Sequence, residues 1–147
     1  MSEAELRKDW MGVLAKADPS SVAVLLDGVG PRPGFTWLRT PEVGAVMVRG
    51  RAGGTGAPFN LGEMTVTRCA LRLDDGRVGH AYIPGRDKAH AEAAAICDAL
   101  LQGSDGPRLQ AEVIAPLKAE ADTARRQEAA RAEATKVDFF TMVRGEG

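Results

Sequence analysis

Long hydrophobic runs are missing from this chain. Its longest unbroken apolar stretches, Val22 to Leu26 and Ala93 to Cys97, are five residues each, against the roughly 20 that a membrane helix needs. No span and no membrane partner is expected. Aromatic residues are few, 5% of the total. Phe59 and Tyr82 stand isolated in the basic region, so the interleaved stacking platform of single-stranded nucleic-acid binders is absent. A net charge of −1 also argues against a nucleic-acid partner held by phosphate neutralisation. Of the two cysteines, Cys69 and Cys97, neither has CxxC spacing or a nearby His pair. Metal and redox readings are therefore weak, and two buried thiols are expected. His80 and His90 have no second His, Cys or carboxylate at a metal spacing, and no nucleophile stands beside a base. Neither a metal site nor a catalytic residue is expected. The first residues, MSEAELRKDW, lack the basic stretch, apolar run and small-residue cleavage site of a secretory signal, so a cytoplasmic location is expected. No repeat of 20 to 50 residues is seen.

What remains is an ordinary soluble composition: 147 residues, 44% apolar and 27% charged, enough for one domain, 1–147, with a core of its own. The charge is unevenly spread. Residues 32–90 carry nine Lys and Arg against five Asp and Glu, whereas the segments on either side are acidic. Eight of those nine cations are arginines, whose planar fork suits phosphate or carboxylate. An anion or an acidic partner surface is expected near the middle third.

The order of elements reads as α+β. Ser2 and Glu5 form a capping-box pattern, and Leu6, Trp10, Val13, Leu14 and Ala17 recur at helical spacing. Asp18-Pro19 stops that helix, and Ser20 or Ser21 caps a second one through Val22, Leu25 and Leu26, giving an N-terminal helical hairpin. Strands are predicted over Val43–Ala52, Gly62–Leu73 and Arg77–Ile83, a small antiparallel sheet of about three. Read as a two-residue turn, Asp75-Gly76 sets Leu73 opposite Val78, Leu71 opposite His80 and Cys69 opposite Tyr82 on a core face. Arg72 with Gly79, Ala70 with Ala81 and Arg68 with Ile83 then occupy the other face. Asp87 caps a helix with an apolar stripe from Ala89 to Leu101. A long helical stretch follows Gly106-Pro107, with a kink or restart at Pro116. Residues 118–136 contain no Val, Ile, Leu, Met or aromatic, so this Ala-rich helix has little to bury in its own fold. Val137, Phe139, Phe140, Met142 and Val143 then form an apolar tail, and 118–147 reads as a partner-binding helix and tail.

Candidate binding residues cluster in the middle. The run Arg49 to Glu63 offers Gly53, Gly54 and Gly56 between arginines. It matches neither a P-loop nor a dinucleotide fingerprint, and it reads as a plain hairpin turn or as an anion- or partner-facing loop. Arg49 and Arg51 share a strand face by the two-residue period. Arg68 and Arg72 flank small residues and are either solvated or placed for a docked strand or phosphate. His80 reads as a structural core residue and His90 as exposed.

Longer blocks of sequence then identify a family. The runs from Trp37 to Glu42 and from Val46 to Cys69, Gly79-His-Ala-Tyr82 with Gly85-Arg-Asp87, and the ending from Ala134 to Glu146 closely resemble the PhnG family, the small G subunit of the bacterial carbon-phosphorus lyase system. The resemblance covers nearly the whole chain. It implies a core complex with I, H and J subunits and an accessory L subunit. It also implies a role in forming α-D-ribose 1-methylphosphonate 5-triphosphate from ATP and methylphosphonate, with release of adenine. ATP is then a substrate of the complex, with no cofactor bound by this chain alone. On this reading the chain is a required but non-catalytic subunit of a transferase complex, unlike a free-standing anion-binding module, the alternative that Arg49, Arg51 and the glycines leave open.

Overall fold

The computed structural model describes the backbone of residues 1–51 and 58–146 and the side chains of 1–50 and 62–136. Gly53, Gly54 and Gly56 lie outside the described residues. The order is α1 (Glu3–Lys16), α2 (Pro19–Val29), β1 (Phe35–Arg51), β2 (Pro58–Leu73), β3 (Val78–Pro84), α3 (Lys88–Leu101), a short α4 (Gly106–Leu109), one π-helical turn (Gln110–Ile114) and α5 (Ala115–Glu146). The strands form an antiparallel sheet in the order β1-β2-β3.

The N-terminal capping box forms as its sequence requires: Glu5 N–H donates to Ser2 Oγ and Ser2 N–H to the Glu5 carboxylate. The second cap is a correction. Asp18, rather than Ser20 or Ser21, accepts the Ser21 N–H at 3.2 Å and caps α2, because Pro19 occupies the first helical turn and makes the residue before it the N-cap.

α3 is the centre of the molecule. Nearly all of its residues are buried, since one side lies on the sheet and the others meet α1, α2 and α4. A helix buried all round must be apolar all round, which the run Ala93 to Cys97 supplies. Its alanines also allow a close approach: a Cβ on Gly79 of β3 would overlap the Ala95 carbonyl oxygen. On the flanks, Trp10, Leu14, Val22 and Leu26 complete the core with Leu71, Ile83, Ile96, Leu109, Val113 and Ile114.

The β2–β3 connection differs from the two-residue turn expected. Leu73 N–H donates to the Arg77 carbonyl at 2.8 Å and Gly76 N–H to the Leu73 carbonyl at 2.9 Å, so the loop is Asp74-Asp75-Gly76. Gly76 has φ +97°, the left-handed residue that a three-residue hairpin with a glycine bulge requires. Asp75 stabilises the turn by accepting from Arg77 N–H and Nε, and those bonds hold its carboxyl below the usual carboxylate range. The extra loop residue slips the register by one. Leu71 now faces Gly79, Cys69 faces Ala81 and Thr67 faces Ile83, while Arg72, Ala70 and Arg68 face Val78, His80 and Tyr82. A one-residue slip turns every side chain of β3 to the opposite face. Gly79, Ala81 and Ile83 are therefore buried, and His80 and Tyr82 are exposed.

Both long strands start earlier than expected, at Phe35 and Pro58. β1 is irregular between Trp37 and Glu42 and again at Val48/Arg49. Since β3 pairs only with Val66 to Arg72, β1 and β2 continue past it as a two-stranded ribbon with Met47 and Met64 exposed.

Past Asp105 the chain is helical, and the π-helical turn lies immediately before Pro116. The expected interruption is thus present: proline cannot donate to the preceding turn, and the backbone passes it with one widened turn. Among the described residues Leu117 is the last that is buried. Positions 118–136 of α5 are exposed throughout, while Lys118 ties the helix base to Asp9 at 2.8 Å.

Candidate partner-binding surface

The sheet has two unlike faces. One packs on α3; the other turns away from it and carries the arginines. Pairing in register brings three rows across this outer face: Thr36, Arg72 and Val78; Arg39, Ala70 and His80; Glu42, Arg68 and Tyr82. All but Ala70 and Val78, which are half-buried, are exposed. Arg68 and Arg72 are thus on the surface expected of them, but Gly79 and Ala81 are not their neighbours. Of the small residues, Ala70 alone shares their face, and Arg39 and His80 flank it. A depression of about 490 Å³ opens there and reaches the β3 edge beside α1, with Met11, Leu38, Arg39, Arg68, Ala70, His80 and Tyr82 among its lining.

Arg49 is exposed on the ribbon opposite Asn60, just past the β1 bulge. Arg51 pairs with Pro58 at the ribbon's far end; its side chain, like the glycines beyond it, lies outside the described residues. Backbone geometry continues α5 through Val137, Phe139, Phe140, Met142 and Val143 to Glu146, and the side chains of that tail are also outside the described residues.

Both histidine expectations are overturned. His80 is exposed because of the register slip, so its imidazole is not a core group. His90 is buried at 5% exposure, and its Nε2–H donates to the Leu14 carbonyl at 2.8 Å. The cap at Asp87, which accepts the His90 N–H at 2.9 Å, places that residue one turn in and pointing at the end of α1. This bond supplies a carbonyl that α1 leaves unpaired at its C-terminus.

Sequence reasoning missed one polar cluster entirely. Asp98, wholly buried on α3, accepts from Arg7 Nε and Nη2 at 3.2 and 2.8 Å, from Trp10 Nε1 at 2.8 Å and from the His80 backbone N–H at 2.8 Å. The carboxylate raises the already high pKa of the Arg7 guanidinium through that hydrogen bond. The available signal was an acid inside the apolar run Ala93 to Leu101, since a buried carboxylate must be paired. The thiols fit expectation: Cys69 and Cys97 are free and buried, and burial pushes them up to about 11 and about 12. Neither is a nucleophile at neutral pH. Among the described residues no three His, Cys, Asp or Glu side chains gather as metal ligands, and no helix is long and apolar enough to cross a membrane.

Comparison with known proteins agrees with the length of the resemblance. A family model described as "Phosphonate metabolism protein PhnG" matches residues 5–145. A protein of Rhizobium meliloti (strain 1021) named "Alpha-D-ribose 1-methylphosphonate 5-triphosphate synthase subunit PhnG" is 46% identical over 141 residues, 95% of this chain and 90% of that protein.

Proposed function

The chain belongs to the PhnG family of phosphonate metabolism proteins, and from that premise we propose that it is the G subunit of a cytoplasmic transferase complex that makes α-D-ribose 1-methylphosphonate 5-triphosphate from ATP and methylphosphonate and releases adenine. Its partners in this reading are the I, H and J subunits and the accessory L subunit, and it has no activity alone. The observation that carries the proposal is 46% identity across 95% of the chain to a protein named as a subunit of that synthase. The surface supports a docking role: exposed arginines stand on a sheet face turned away from the core, and nineteen consecutive exposed positions, 118–136, lie on α5. Arg49, Arg51 and the Gly53, Gly54 and Gly56 segment between the strands belong to the same proposed contact, as does the tail from Val137 to Val143.

Reconstitution tests the reading. Adenine release from ATP and methylphosphonate is expected from the co-expressed subunits with this chain, and neither from the chain alone nor from the set lacking it. Full turnover without the chain would overturn it. The exposed Arg49, with Arg51 and the glycines beyond it, also favours a free-standing anion-binding module. That alternative requires the isolated chain to bind ATP or methylphosphonate in a calorimetric titration.

A further inference from the structure

We propose that the outer face of the sheet, centred on the depression over Ala70, is the seat of an acidic side chain from another subunit of the synthase, held between Arg39, Arg68 and His80. The proposal rests on the reading of this chain as a synthase subunit and adds which surface docks and what chemistry docks there.

The row geometry makes the seat. Cross-strand neighbours stand about 5 Å apart at Cβ, and in the row Arg39, Ala70, His80 the central residue ends at its methyl group. Two long side chains rise on either side of it, and Arg68 stands two residues along β2 on the same face. The cavity of about 490 Å³ between them has room for a carboxylate and the stem that carries it.

Charge selects the occupant. Across the three rows stand Arg39, Arg68 and Arg72 against one acid, Glu42. Among the described residues none of the three arginines forms an ion pair, whereas Arg7, Arg32 and Arg77 each hold a carboxylate. Guanidinium forks whose donors are unengaged match a carboxylate two bonds at a time. A second copy of this chain does not fit, because a two-fold contact through the same patch sets arginine against arginine. A free polyphosphate does not fit well either. Leu38 and Tyr82, 49% and 47% exposed, border the depression, and an inorganic anion leaves them in water. A protein surface with an acid at its centre and apolar residues around it covers both kinds of group, and Tyr and Arg together are the composition of interface hot spots.

Two folded variants separate shape from charge. Ala70→Leu fills the depression without changing charge; the double variant Arg39→Glu with Arg68→Glu reverses charge without filling it. In the co-expressed synthase, each should lower recovery of the other subunits on the tagged chain about tenfold or more, the scale of a hot-spot loss. Arg39→Lys with Arg68→Lys, which keeps the charge but not the fork, should restore only part of it. Circular dichroism and urea midpoints of the isolated variants check that they fold; if Ala70→Leu does not, the charge pair decides. Wild type that recovers the subunits beside variants that do so equally well overturns this proposal alone. Wild type that recovers none overturns the synthase reading and this proposal together. Tripolyphosphate binding by the isolated chain, or its dimerisation, abolished by the glutamate pair would assign the face to an anion or to a second copy and overturn the protein partner.

Discussion

Two cysteines look alike in sequence, and burial gives them the same consequence. Below the ordinary thiol pKa of 9.0, Cys69 and Cys97 are protonated in folded and unfolded chains alike, so their contribution to stability is intact. Above it the unfolded chain gives up protons that the folded chain keeps up to about 11 and about 12. More protons on the folded form mean that stability falls as pH rises through this window. The urea midpoint is therefore expected to decline from about pH 8 to about pH 10, and to decline less in Cys97→Ala than in the wild type, compared at unchanged slope. Equal declines would show that other groups carry the alkaline loss. Both thiols should also resist alkylation at neutral pH until the chain unfolds.

At the scale of elements, Asp98 is a joint. From α3 it takes two bonds from Arg7 and one from Trp10, both on α1, and one from the His80 backbone on β3. Its neighbour one turn on, Gln102, donates to the Val78 carbonyl at 2.9 Å. β3 is an edge strand, and an open edge is a template for unwanted pairing. Here α3 covers it with two side chains, one for each kind of backbone group. Asp98→Ala leaves the Trp10 indole and the His80 N–H without their acceptor, and is expected to cost about 1–3 kcal/mol for each of these two donors. Arg7→Ala is expected to cost less, about 1–3 kcal/mol, because Trp10 and His80 still hold the carboxylate. Urea denaturation of the two variants measures the order. A cheaper Asp98→Ala would show that the joint is not the anchor of α1. The ribbon beyond β3 is the opposite case. A two-stranded hairpin is marginal alone, and the exposed Met47 and Met64 are the apolar surface that a partner would cover.

The whole molecule divides at Leu117. Before it, the helices and the three-stranded part of the sheet share one core, and the helix after it is exposed at every described position to Lys136. An exposed Ala-rich helix buries too little to offset the ordering of its residues. Val137, Phe139, Phe140, Met142 and Val143 supply apolar area at its end, and such a cluster left open favours self-association. Removing residues 119–147 is therefore expected to shift the thermal midpoint of the remaining body by no more than a few degrees, while abolishing recovery of the I-type subunit. Phe139→Ala with Phe140→Ala should do the second without the first. Recovery at wild-type strength by either variant, or collapse of the sheet's circular-dichroism signal on truncation, would show that the segment serves the fold instead.

Local physics made much of this protein legible from its residues. Ser2 and Glu5 cap α1, Asp87 caps α3, and Pro116 sits where the helix widens, because each acts on backbone groups within one turn of itself. The Ala-rich segment was equally plain, since a helix without large apolar residues has nothing to insert into a core. The family, too, was legible, as it rests on ordered residue types over nearly the whole chain. What tertiary structure decided was facing. Asp74-Asp75-Gly76 and Asp75-Gly76 are both good turns by composition, and the choice between them shifts β3 by one residue. Burial chose the register that puts Gly79, Ala81 and Ile83 against α3. Gly79 has no side chain to keep the helix away, and His80 in that place would have blocked it. The same choice sent His80 and Tyr82 to the arginine face and brought the His80 N–H to Asp98. His90 and Asp98 were hidden for the same reason: their partners, Leu14, Arg7 and Trp10, lie more than seventy residues away in the chain, a distance that only packing closes.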